Sequence, residues 1–257
     1  MRHSRHAILA VGFLVAWVAP LQADDKEAQA IIAKAIKAQG GAEALAKFPA
    51  SVTKFKGKLH VMGAALEMIG EVSSQGADKY KMEFSLEETG GPTFRNVFVL
   101  DGDKGWYRFG VDGGPPPKGG PLPKDKLAEM QEGRHAAWVA DLTPLTGKGF
   151  TLATTGELRV HEKTALGVKV SAKGHRDVTL HFDKETGMLV KTESRVKDEA
   201  TGQDVTAESL LSDYKEVQGT KQAMKFMEKR DGKLFMEYEV TDYKLVDKLG
   251  ADVFAKP

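Results

Sequence analysis

Between residues 51 and 246 apolar and polar side chains alternate with a period of two, segment after segment. That alternation restricts the chain to a largely antiparallel sheet with one dry face and one wet face. Phe55, Leu59 and Val61 stand against Lys54, Lys56, Lys58 and His60, and Tyr80, Met82, Phe84 and Leu86 against Lys79, Lys81, Glu83 and Ser85. Val97, Val99, Trp106 and Phe109 extend the series around the turn DGDKG, and Leu166, Val168, Val170, Val178, Leu180 and Phe182 resume it later. Near the C-terminus Leu234, Met236, Tyr238 and Val240 share one parity, whereas Tyr243 and Leu245 take the other. A one-residue shift of this kind predicts a β-bulge.

Two stretches break the pattern. Residues 24–47 place Ala28, Ile31, Ile32, Ala35 and Ile36 at helical spacing, and Gly40 and Gly41 end that helix. Residues 111–125, VDGGPPPKGGPLPKD, exclude helix and central strand, and a second helix is expected over 124–142. Strands resume afterwards in the same style, so this is read as an insertion in one domain, 24–257, rather than a linker.

The stretch HFDKETGMLVKTES, 181–194, is rich in titratable groups. Its period instead marks a hairpin: Phe182 and Met188 flank a five-residue loop with an aspartate to cap it and Gly187 to take positive φ. His181, Lys191 and Glu193 are then expected on the wet face.

The first 23 residues have the order of a secretory leader: Arg2 and Arg5, an apolar run over 7–19, and Ala23 before two aspartates. The expected product is exported to the periplasm or secreted, with no transmembrane segment in the mature chain, the apolar run being shorter than the roughly 20 residues a span needs. Without the leader, 35 basic residues face 36 acidic ones in no basic block, which gives no support to nucleic-acid binding. With no cysteine there is no thiol chemistry and no disulfide.

Catalytic signatures are missing as well. The seven histidines form no H-E-x-x-H pair, no G-x-S-x-G occurs, and the prolines of GGPPPKGGP remove the N–H donors a phosphate loop needs. Neither metal, cofactor nor catalytic residue is therefore assigned. What stands out is a dry face rich in large, adaptable side chains: Met62, Met68, Met82, Phe84, Trp106, Phe109, Met130, Trp138, Phe182, Met188 and Phe226. Methionine-rich surfaces accept apolar partners of varied shape.

The order of these features resembles the LolA/LolB-like superfamily of lipoprotein-localisation carriers. The resemblance runs over nearly all of the mature chain: KAQGG at 37–41, DGDKGWYRF at 101–109, the inserted helical segment, FDKETGMLVKTE at 182–193, SDYKEVQGTKQAMKF at 212–226 and VFAKP at 253–257. It implies a mainly β (α+β) fold, a curved antiparallel sheet forming an open, incomplete β-barrel with an N-terminal helix and an inserted helical lid at 111–142. It also implies a non-enzymatic periplasmic protein that binds lipid or lipoprotein acyl chains. The resemblance assigns no binding residue; the candidates to meet such a ligand come from the dry-face pattern: Met68, Met82, Phe84, Trp106, Phe109, Met130, Trp138, Phe182, Met188 and Phe226. The alternative is a protein-interaction or envelope-sensing module of the same fold, with a filled core and an envelope protein as partner.

Overall fold

The computed structural model describes residues 21–61, 63–88, 90–198 and 201–257. The candidate leader lies outside them but for its last three residues, and Met62 lies outside them too. Helix α1 (Leu21–Ala38) and the short α2 (Ala42–Ala46) precede six strands: β1 (Ala50–Val61), β2 (Ala64–Gln75), β3 (Lys79–Glu87), β4 (Thr93–Asp101), β5 (Lys104–Val111) and β6 (Lys118–Pro121). Helix α3 (Lys124–Ala140) follows. Seven more strands complete the chain: β7 (Phe150–Val160), β8 (Lys163–Ala172), β9 (Val178–Asp183), β10 (Leu189–Lys197), β11 (Asp204–Val217), β12 (Thr220–Arg230) and β13 (Lys233–Val246).

All thirteen strands join one antiparallel sheet in the order β6-β5-β4-β3-β2-β1-β13-β12-β11-β10-β9-β8-β7. The chain starts in the middle, walks out to the edge at β6, crosses through α3 to the other edge at β7 and walks back until β13 pairs with β1. The two edges do not pair with each other, so the sheet stays open. The proline-rich insertion supplies β6, an edge position where a missing N–H costs no ladder bond.

Helix α3 reports how strongly the sheet curls. It touches β4 on one side and β9 and β10 on the other. β4 and β10 lie seven spacings apart in the sheet order, and β9 one further, about 34 Å or more across a flat sheet. A helix with its side chains is only about 10–12 Å thick, so the sheet must wrap around α3.

One half of the concave face is filled. Ala28, Ile31, Ile32, Ala35 and Ile36 of α1 pack against Leu152, Val168, Val170, Leu180 and Phe182 in the main core. Gly40 ends α1 at φ +125°, and a Cβ there would lie 2.5 Å from the Gly219 carbonyl oxygen. Only glycine lets the chain pass so close to the β11–β12 turn, where the Lys221 amide donates to the Gln39 carbonyl at 2.9 Å. The expected bulge near the C-terminus is also present: Lys54 pairs with Asp242 but Phe55 with Val240, leaving Thr241 unpaired.

The hairpin at 183–187 forms as expected, with Asp183 Oδ1 accepting from the Glu185 amide at 3.1 Å and the Thr186 amide at 2.7 Å, and Gly187 at φ +75°. His181 differs from expectation. It is on the polar face but only 3% exposed, because Gly167 opposite it offers no side chain and the ring settles into that space beside Thr155, with Glu193 Oε1 3.2 Å away. Burial holds its imidazole below the usual range against the pull of Glu193.

Candidate functional site

Away from α1 the concave face is not filled. A cavity of about 1060 Å³ lies between α2, α3 and strands β1–β5 and β9–β13. Residues paired across neighbouring strands share a face, so the register shows how its wall is built. Met82 pairs with Val72 and with Phe98, and Phe98 with Tyr107, while Leu211 pairs with Phe226 and Phe226 with Tyr238. On the helix side the wall is closed by Met130, Ala137 and Trp138 of α3 and by Leu45 of α2.

Helix α3 is strapped in place from both flanks. Arg134 Nε donates to the Gly76 carbonyl at 2.9 Å and Gln131 Nε2 to the Gly102 carbonyl at 3.1 Å. On the other side Glu129 accepts both guanidinium nitrogens of Arg176, at 2.8 and 2.6 Å, and Glu132 meets His175 at 2.9 Å. The Arg176 guanidinium and the Lys197 amide hold the Glu129 carboxylate below its usual range against desolvation. His135 stacks on His175 with ring centroids 3.7 Å apart, and burial followed by this neighbour lowers the His135 pKa.

The wall is more polar than a plain hydrocarbon slot. All five tyrosines of the chain line it: Tyr80, Tyr107, Tyr214, Tyr238 and Tyr243. Burial raises the hydroxyl pKa of Tyr80 and Tyr243 to about 12, and those of Tyr214 and Tyr238 rise for the same reason, so these groups stay protonated. Arg134, 8% exposed, sits 3.7 Å from the Asp141 carboxylate. The Asp141 side chain lines the cavity and keeps 58% of its accessible surface. Desolvation outweighs Arg134 and lifts the Asp141 carboxyl to about 6.

Solved structures place this architecture. A structure described as an outer membrane lipoprotein-sorting protein domain, from Vibrio parahaemolyticus, aligns with a TM-score of 0.51 at 10% identity over 90% of this chain and 97% of that chain. A LolA superfamily protein from Nitrosomonas europaea aligns with a TM-score of 0.53 at 13% identity over 89% of this chain and 97% of that chain. The fold is LolA-like. No family model and no curated protein matches the sequence.

Within the LolA-like sheet the ten residues proposed from sequence fall in different places. Met82, Met130, Trp138 and Phe226 line the cavity. Met68, Phe84 and Phe109 share the Met82 face but lie beyond the cavity, where Phe84 stacks on Phe98 with centroids 6.2 Å apart and Phe109 on Phe94 at 6.0 Å. Phe182 is 1% exposed in the core under α1. Met188 lies just before β10, and a register shift at Val190 turns Leu189 inward in its stead.

Trp106 is on the opposite face of the LolA-like sheet. It pairs with Val99 and packs with Val97, Val99 and Phe254 under the C-terminal segment. Because Tyr107, not Trp106, has the parity of Phe109, the cavity receives the tyrosine. The tyrosines and the Arg134–Asp141 pair were missed from sequence, although Tyr80 and Tyr238 already shared the dry-face parity of Met82 and Met236. Among the described residues no His, Asp and Glu cluster is arranged to hold a metal ion, and no helix is long and apolar enough to cross a membrane.

Proposed function

We propose that this protein is a non-enzymatic periplasmic carrier that shelters the apolar part of a lipid or of a lipoprotein acyl chain. The observation that carries this reading is the cavity of about 1060 Å³ beneath α3. Ligand sites usually span roughly 300–1,000 Å³, so there is room for a large guest. Met82, Met130, Trp138 and Phe226 supply adaptable apolar contact, and each methylene buried on them contributes about 0.8 kcal/mol. The LolA-like fold, found also in a protein described as lipoprotein-sorting, agrees with this reading. A module with a filled concave face would leave no such space.

The test is native mass spectrometry of protein purified gently from a bacterial periplasm, followed by organic extraction. A stoichiometric acyl-containing species is expected. A clean apo mass that persists after incubation with lipid or acylated peptide would refute the carrier reading.

A further inference from the structure

The polar wall narrows the chemistry of the guest. Arg134 and Arg230, the cations of the wall that are not exposed, are already matched: Arg134 faces Asp141 at 3.7 Å, and Arg230 Nε donates to Glu228 at 2.9 Å, whereas the lysines of the lining, Lys126, Lys197 and Lys221, are exposed. An ionised headgroup placed beside Arg134 and the tyrosines, away from those exposed lysines, would lose its hydration and meet only a guanidinium that Asp141 already balances. The hydroxyls, in contrast, have hydrogen-bonding capacity to give. Tyr80 donates only to the Met82 thioether at 3.1 Å, a weak acceptor, and Tyr238 makes no hydrogen bond among the described residues. Tyrosine hydroxyls in a buried setting ordinarily find a partner.

We propose that the guest is an uncharged amphiphile bearing hydroxyl or ester groups. These groups seat among Tyr80, Tyr238, Tyr243, Arg134 and Asp141, and the alkyl chain lies on the apolar wall. The assignment rests on the carrier reading and adds to it the class of headgroup. It places the polar part of the guest inside the protein, with the hydroxyls of the tyrosines donating to ester carbonyls and the Asp141 carboxylate accepting from guest hydroxyls. Asp141 also keeps the Arg134 charge balanced, and so disfavours anions.

Three probes sharing a ten-carbon chain, used below their micelle concentrations, separate the possibilities in titration calorimetry at pH 7.5: 1-monodecanoylglycerol, decanesulfonate and decyltrimethylammonium. The glycerol ester is expected to bind the parent protein about tenfold or more tighter than either ion. Tyr238→Phe and Tyr243→Phe should each weaken it about three- to tenfold, the worth of one hydrogen bond, with the thermal midpoint little changed. Asp141→Asn, which leaves Arg134 unbalanced, should strengthen decanesulfonate binding. Equal or tighter binding of an ion to the parent, or an unchanged charge preference in Asp141→Asn, would overturn the headgroup assignment and leave the carrier reading standing. Failure of all three probes to bind would overturn both.

Discussion

Asp141→Asn is the substitution whose effect on stability the structure specifies most fully. The carboxyl is lifted from 3.8 to about 6 by desolvation, with Arg134 opposing. It also closes the C-terminal end of α3, where the helix dipole disfavours an anion. A native pKa above the unfolded one means that the native state holds the proton longer. The resulting stability is full below about pH 3.8 and is lost as pH rises through about 6. At 1.36 kcal/mol per pH unit the displacement corresponds to about 3 kcal/mol for a group shielded from water. Asp141 keeps 58% of its side-chain surface accessible, so screening reduces the effect to about 1 kcal/mol.

Asparagine carries no such burden. The variant should therefore be more stable than the parent by about 1 kcal/mol at pH 7.5, and the two should converge near pH 3.5. Urea denaturation at three pH values, with equal m-values, measures the difference directly. The competing effect is loss of the ion pair, but Arg134 retains its hydrogen bonds to the Gly76 carbonyl and is not left without partners. If the variant is instead less stable than the parent at neutral pH, attraction to Arg134 outweighs burial and the reasoning fails.

Trp106→Ala should lower stability by about 2 kcal/mol, less than for a fully buried ring, by opening the contact with Phe254, and should leave guest affinity unchanged. Trp138→Ala, whose ring also meets His135 and Phe150, should lower guest affinity as well as stability in the same pair of thermal and calorimetric assays, and an affinity loss in Trp106→Ala or none in Trp138→Ala would contradict the placement of the two rings. Gly40→Ala should cost about 1–3 kcal/mol, since a Cβ at φ +125° would stand 2.5 Å from the Gly219 oxygen. An unchanged thermal midpoint would show that the α1 terminus is not held against the β11–β12 turn.

How much of this was readable in the residues follows from what side-chain parity reports. Parity sorts a strand into two faces, and it placed Met82 beside Tyr80, and Val168 beside Val170 and Leu166, correctly. It does not say which face is concave or what covers either one. Strand β4 is the hard case, since Phe94 and Phe98 are on one face and Val97 and Val99 on the other, both apolar. A strand that is apolar on both sides is covered on both sides: here by the cavity wall on one and by the C-terminal segment around Phe254 on the other. Trp106 was grouped with Phe109 because that second cover is made by residues 247–257, which carry no periodic signal of their own.

The cavity raises a different difficulty, because it is a property of curl and of a crossing. It exists because α3 touches the sheet at β4, β9 and β10 and stands off the strands between them, while α1 fills the space over β7 and β8. No local pattern encodes that standoff. The composition of the wall nevertheless carried a signal that emphasis on methionine and phenylalanine obscured: every tyrosine in the chain faces the same space. A chain selected only to fill that space could have used phenylalanine at each of those positions, and would have avoided the desolvation of hydroxyls that burial entails. Tyr214 recovers that loss by donating to the Leu189 carbonyl. Tyr238 has no comparable partner among the described residues, which is why its hydroxyl, more than any methionine, points to the polar half of the guest.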